Sequence, residues 1–389
     1  MILIKNGNVY SPKFIGKKDI LIAGLKIIAI EDSIEINSSD ISIETYDAKG
    51  KNIYPGFVDA HVHITGGGGE GSYKTRTPEI VLSDIVSAGV TTIVGCLGTD
   101  GITRTMTNLL AKAYGLSEEG ISTYVYTGSY QIPVKTLTEN ILSDLVLIEK
   151  IIGVGEVALA DHRSSAPSIA EVRRLAADAR VGGMLSGKAG IVNVHMGDSD
   201  ELLYIIEEIV KKSDIPITQF LPTHINRNKK LFEAGINYAK KGGYLDFTTS
   251  TTKQFLEDGE VSCAKALKRI IDENIDISQI TMTSDGQGSL PQFDKNNQLI
   301  GLKIGKQESL YRAVVDAVNK YNVPLEDAIS TITANPATIL KLKNKGFIKL
   351  NYDADLVIAD QNSFKIESVI AKGIYMVKNN EVVKKGTFE

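Results

Sequence analysis

Two histidines separated by one residue, His61 and His63, stand in the stretch Tyr54-Pro55-Gly56-Phe57-Val58-Asp59-Ala60-His61-Val62-His63-Ile64. On a β-strand, residues two apart project to the same face, so these imidazoles point side by side. On a helix the same spacing would splay them. Such a pair makes half of a metal site, or else it is two surface histidines. The remaining histidines favour the metal. The chain has five in all, and His195 and His224 each end another apolar run, Val192-Asn193-Val194-His195 and Leu221-Pro222-Thr223-His224. Asp285 closes a further run in Thr283-Ser284-Asp285-Gly286. Scattered surface histidines would not fall at equivalent ends of separate strands. Converging imidazoles and carboxylates suit a borderline ion such as Zn²⁺. If two ions lie close together, an anionic group must relieve their repulsion. Glu156, in Gly155-Glu156-Val157-Ala158, sits inside an apolar run where an unpaired carboxylate is costly. Bridging two metals suits it; partnering a buried base is the alternative.

These residues need a scaffold that gathers strand ends. Strands are expected at Phe57–Ile64, Thr91–Cys96, Thr123–Thr127, Val154–Ala160, Ile191–His195, Thr218–Thr223, Tyr244–Thr248 and Ile280–Ser284. Helical patterns alternate with them at Pro78–Ser87, Thr103–Tyr114, Asn140–Lys150, Ile169–Gly182, Ser199–Lys212, Lys229–Gly242, Val261–Glu273 and Gln307–Tyr321. Eight strand–helix units predict an α/β fold, a (β/α)8 TIM-like barrel over residues 51–344, with functional groups at the C-terminal strand ends. An open doubly wound sheet is the alternative, but no G-x-G-x-x-G opens a helix after the first strand. Residues 1–50 and 345–389 read as short strands. Neither end alone could bury a core, so the two are expected to build one small β-sandwich domain together.

The 389 residues are 43% hydrophobic and 23% charged, ordinary for a globular protein of this size. A net charge of −4 argues against a nucleic-acid partner, and no basic run is dense enough for a membrane surface. Cys96 and Cys263 lie far apart and read as reduced thiols. The start lacks the layout of a signal peptide, and the longest apolar stretches are too short to span a bilayer. A cytoplasmic location is expected.

Beyond the histidines, five stretches carry a resemblance over essentially the whole chain. They are Gly56 to His63 followed by Gly66–Gly69 and Glu70; Thr127-Gly128-Ser129-Tyr130; Asp161-His162-Arg163-Ser164; Thr223-His224-Ile225-Asn226-Arg227; and Ser284-Asp285-Gly286-Gln287-Gly288-Ser289. The sequence resembles the bacterial β-aspartyl (isoaspartyl) dipeptidases of the amidohydrolase superfamily. The H-x-H pair with a late aspartate marks only the superfamily. The glycine run ending in Glu70, the tyrosine, the two arginines and Ser289 are more specific.

The resemblance implies a hydrolase with two Zn²⁺ ions per subunit. His61, His63 and Asp285 would hold one ion, His195 and His224 the other. A hydroxide between them would attack the amide, and Asp285 would carry its proton to the leaving amine. Tyr130 would donate to the developing oxyanion, although a core tyrosine is its alternative reading. An isoaspartyl dipeptide offers one amine and two carboxylates. Glu70 suits the amine, and Arg163 and Arg227 suit the carboxylates, with a structural ion pair as the alternative for either arginine. Thr99 and Ser289 would add hydrogen bonds, and His162 would orient its neighbours. Better-known members of the family carry a carboxylated lysine where Glu156 stands, so here the bridge would be a plain carboxylate. A homo-oligomer, an octamer, is also implied. Two other readings remain: a cyclic amidohydrolase or deaminase resembling dihydroorotase, which has no use for Glu70, and a non-enzymatic metal-binding scaffold, which has no use for Asp285 and Tyr130.

Overall fold

The computed structural model describes residues 1–36, 42–294 and 298–389. At its centre lie eight strands in chain order, Phe57–Val62, Val90–Gly95, Ser122–Thr127, Ile151–Leu159, Ile191–Met196, Phe220–Thr223, Leu245–Thr248 and Ile280–Thr283, here called the first to eighth. All are almost wholly buried, as strands covered on both faces must be. The first six form one parallel sheet in sequential order, and the seventh and eighth form a parallel pair. A parallel bridge from Val62 to Gly286 and a bond from the His63 amide to the Gly286 carbonyl (2.9 Å) bring the end of the eighth strand against the first. The strands thus curl into the expected TIM-like barrel, with its continuous ladder confined to six strands.

Each strand is followed by helix, and the helix ends carry their own signals. Asn140 caps Ile141–Leu147 and Ser168 caps Ile169–Ser186, both through capping boxes, and Gly187 ends the longer helix in the left-handed conformation. One insertion departs from the simple alternation. A hairpin of Ser289–Phe293 and Leu299–Ile304 stands between the eighth strand and the helix Glu308–Tyr321. Inside the barrel, Val58, Ala60, Val94, Tyr126, Ile152, Ile191 and Leu221 form an apolar plug closed below by Leu340 and Leu342. This plug is the floor on which the strand-end side chains stand.

The described terminal strands form one nine-stranded sheet by their hydrogen bonds. Its order is Glu381–Val382, Ile374–Lys378, Ile366–Ala371, Leu356–Ala359, Asn52–Pro55, Ile2–Tyr10, Phe14–Ala23 and Lys26–Glu31, with Glu44–Asp47 paired to Ile2–Tyr10. Period-two alternation explains both faces. Ile2, Ile4, Ile20 and Ile22 pack with Ile53, Leu356 and Ile370, while Leu3 and Leu21 turn to the other face against Ile34. The sheet meets the barrel at Asp355, whose carbonyl accepts from the Gly56 amide at 2.8 Å. Buried Lys345 pairs with Asp355 and Asp353 at 2.6 and 2.7 Å, fixing that junction. No helix among the described residues is long and apolar enough to cross a membrane.

Candidate active site

Glu156 is the centre of the site, and the fourth strand bends to aim it. Across the fourth and fifth strands Val154 pairs with Val192, but Val157 pairs with Val194, so the fourth strand carries one extra residue. Such a bulge re-aims a side chain. Gly155 occupies it with φ +147°, and a Cβ there would lie 2.7 Å from the Asn193 carbonyl oxygen. Only glycine fits that backbone and that approach.

Four imidazoles surround the carboxylate thus presented. His61 Nε2 lies 3.4 Å from Glu156 Oε2, His63 Nε2 lies 3.3 Å from Oε1, His195 Nδ1 lies 3.0 Å and His224 Nε2 3.7 Å from Oε2. Asp285 Oδ1 is 3.2 Å from His63 Nε2. The opposite nitrogen of every ring has a side-chain partner: Asn193 for His61 (3.1 Å), Cys96 for His63 (3.7 Å), Asp161 for His195 (3.0 Å) and Thr248 for His224 (2.6 Å). Partners of this kind hold a ring so that its other lone pair faces a cation.

The cluster has the donor set of a metal centre. Ligand atoms of His61, His63, Cys96 and Glu156 all lie within 4.8 Å of one another, as do those of Glu156, His195 and His224. His61 Nε2, Glu156 Oε1 and Asp285 Oδ1 are buried without a hydrogen-bond partner. Three orphaned lone-pair atoms converging in one place are costly unless a cation satisfies them. Electrostatics already favours anions here. Burial would raise the Glu156 carboxyl, but the surrounding histidines outweigh it and hold it well below the usual range. Asp285 is lowered in the same way, its burial outweighed chiefly by neighbouring His63. Burial, aided by the charge of His195, lowers His224 to about 3, which keeps its lone pair free.

Above the cluster opens a cavity of about 580 Å³ lined by every residue named so far as a substrate contact, Glu70, Thr99, Tyr130, Arg163, Arg227 and Ser289. Tyr130 is 5% exposed, its hydroxyl 2.8 Å from His195 Nδ1, and burial raises its pKa well above the ordinary value. Glu70 accepts from the Thr99 hydroxyl at 2.9 Å and meets Arg163 Nη1 at 3.4 Å. Arg163 and Arg227 both lean toward buried Asp161, at 2.7 and 3.7 Å. His162 also lines the cavity, its Nδ1 3.7 Å from Asp161 Oδ1 with 85% of its side chain exposed.

The model of the amidohydrolase family matches residues 52–386. The chain belongs to the amidohydrolase family. A β-aspartyl dipeptidase from the thermophilic keratin-degrading Fervidobacterium islandicum AW-1, solved in complex with a β-Asp-Leu dipeptide, is 45% identical with a TM-score of 0.90 over 98% of each chain. The dihydroorotase of Lactococcus lactis subsp. lactis (strain IL1403) is 25% identical over 94% of this chain and 91% of its own length. A dihydropyrimidinase from Brevibacillus agri NCHU1002, 17% identical, shares the fold with a TM-score of 0.67 over 99% of this chain and 96% of its own.

Within this amidohydrolase the sequence pattern located the ring of histidines and carboxylates, and the structure brings all six together. It did not locate their partners. Asn193 sits two residues before His195 on the same strand, and Thr248 ends the seventh strand as the histidines end theirs; the period-two argument could have found both. Arg104 gave no signal. It lies buried and donates to the carbonyls of Thr65 and Thr77 at 2.9 Å each, pinning both ends of the glycine loop that carries Glu70.

Proposed function

We propose that this amidohydrolase cleaves β-aspartyl (isoaspartyl) dipeptides with two Zn²⁺ ions. The observation that carries the reading is the charge pattern on the cavity wall: one rim carboxylate, Glu70, and two guanidinium groups beside the histidine cluster. A dipeptide joined through its β-carboxyl presents a free amine and two free carboxylates, which this pattern complements. The 45%-identical relative crystallised with β-Asp-Leu supports it. The chemistry implied by divalent cations at the cluster is polarisation of the amide carbonyl and acidification of a water to a pKa near 7.

The chain's own groups perform the rest. Glu70 takes the ammonium, and the arginines hold carboxylate, so the amide is fixed over the cluster before reaction. Asp285 Oδ1 receives the proton of the attacking water and returns it to the leaving nitrogen. Tyr130 Oη turns from His195 to donate to the oxygen that gains charge. Glu156, already carboxylate, supplies the negative charge between the two halves of the cluster with no need of carbon dioxide.

Selectivity tests this reading. β-Asp-Leu should be turned over and α-Asp-Leu left nearly untouched, since moving the scissile carbonyl by even about 1 Å can cost ~10²-fold. Comparable rates on the two isomers would defeat the assignment. Sequence similarity to dihydroorotases supports a second reading, hydrolysis of a cyclic amide. Turnover of dihydroorotate with none of β-Asp-Leu would decide for it.

A further inference from the structure

We propose that Asp161 is a positioning residue that couples carboxylate recognition to the metal cluster, holding Arg163 for the substrate and fixing which nitrogen His195 turns to the metal. The substrate half rests on the dipeptidase reading; the metal half does not. Asp161 follows the fourth strand and is 8% exposed. Its Oδ1 accepts from the Arg163 amide at 2.8 Å and from Arg163 Nε at 2.9 Å, and its Oδ2 accepts from Nη2 at 2.7 Å. The same Oδ2 lies 3.0 Å from His195 Nε2 and 3.7 Å from Arg227 Nη1. One buried carboxylate therefore gathers groups from the ends of three successive strands.

Two consequences follow from the donors and acceptors. First, the Nε–Nη2 edge of Arg163 is committed to Asp161, and only Nη1 faces the cavity, 3.4 Å from Glu70. The fork that would otherwise clasp a substrate carboxylate with two bonds is used to lock the side chain. Second, Arg163 Nη2 and Arg227 Nη1 approach His195 Nε2 at 3.1 and 3.3 Å. Guanidinium nitrogens only donate and would compete for a lone pair on Nε2, whereas the Asp161 carboxylate only accepts and so favours a proton there, with the arginines sharing it as acceptor. A proton on Nε2 leaves the lone pair on Nδ1, the atom 3.0 Å from Glu156. Removing Asp161 releases the proton to either nitrogen and frees Arg163 together.

The test uses the full-length protein as Asp161→Asn and Asp161→Glu, titrated with zinc against a competing chelator, then assayed with β-Asp-Leu. Asparagine keeps one accepting oxygen of the two and loses the charge, so it cannot serve the Arg163 amide and Nε together with His195, and the longer glutamate keeps the charge that pairs Arg163 but displaces its oxygens. In both variants one of the two zinc equivalents should weaken 10–100-fold while the other is unchanged, the usual cost of losing a ligand's supporting partner. KM should rise tenfold or more in Asp161→Asn, and less in Asp161→Glu. Zinc affinity and KM both at wild-type values in whichever variant folds, even with a lower Tm, would overturn the proposal and leave Asp161 a stabilising ion pair only. If the wild-type protein does not cleave β-Asp-Leu, the dipeptidase reading falls, and the zinc titration still decides the role of Asp161.

Discussion

Asp285 meets two demands at once, a strained backbone and an ionised carboxylate in a buried place. Its φ of +52° lies in the left-handed region, shared in this site by His224 at +61°. For most side chains that conformation costs about 1–2 kcal/mol, and asparagine tolerates it as aspartate does. Asp285→Asn therefore changes the proton chemistry and spares the backbone. We predict a folded, metal-replete variant with activity on β-Asp-Leu reduced ~10²–10⁴-fold; near-normal turnover would mean another group moves the proton. Glu260, on the cavity wall, gives a stability prediction. Burial raises its carboxyl to about 7 despite the Thr251 hydrogen bond and the charge of Arg227. A raised acid binds its proton more tightly in the folded state, so folding stability falls as pH rises from the ordinary glutamate value toward 7. Glu260→Gln removes that loss: between pH 5 and 8 its Tm should gain on the wild type as pH rises, and parallel Tm curves would refute the shift. The side chains that converge on Glu156 were legible in the sequence because residue type and position at a strand end suffice to place them. Asp161 was not, since its role depends on where neighbouring side chains from three strands point.

At the scale of elements, the bulge in the fourth strand does the most for the site, and Gly155 makes it. Gly155→Ala puts a methyl 2.7 Å from the Asn193 carbonyl and 2.9 Å from the Asn193 Cβ, while Asn193 also holds His61. We expect a loss of about 1–3 kcal/mol from backbone strain and overpacking, with zinc binding weakened beyond what the stability change explains. Urea unfolding and zinc titration of the variant check this, and unchanged values in both would show the bulge to be incidental. The eight strands were readable because each is a short apolar run bounded by turn residues, and they landed within a few positions of expectation. Helix starts were less so: the helix expected from Ser199 begins at Tyr204, because Leu202 and Leu203 are spent on turn before it. The hairpin Ser289–Phe293 with Leu299–Ile304 was not readable at all. Its first strand contains Pro291, which argues against a strand, and its pairing is local to a loop over the cavity.

Across the whole molecule, the candidate ligands come from the first, fourth, fifth and sixth strands and from the turn after the eighth. Bound cations would then cross-link the barrel much as they join the residues. Zinc held in excess at 100 times its Kd should add ~2.7 kcal/mol per site to folding stability. Thermal unfolding of the same preparation with zinc and after exhaustive chelation should differ clearly, and identical Tm values would sink the metal assignment. The barrel itself announced its architecture through repetition. The terminal sheet did so less well, because which of nine short strands lies beside which depends on partners at opposite ends of the chain. That arrangement has a consequence during synthesis. Asn52–Pro55 pairs with Leu356–Ala359, about three hundred residues downstream. At ~5–20 residues per second a ribosome needs roughly 15–60 s to make that partner. Until then the strand's buried edge has only water or a neighbouring nascent chain to bond with, while the strands and helices of the barrel emerge already next to their mates. The first residues to be made are therefore among the last to be sheltered.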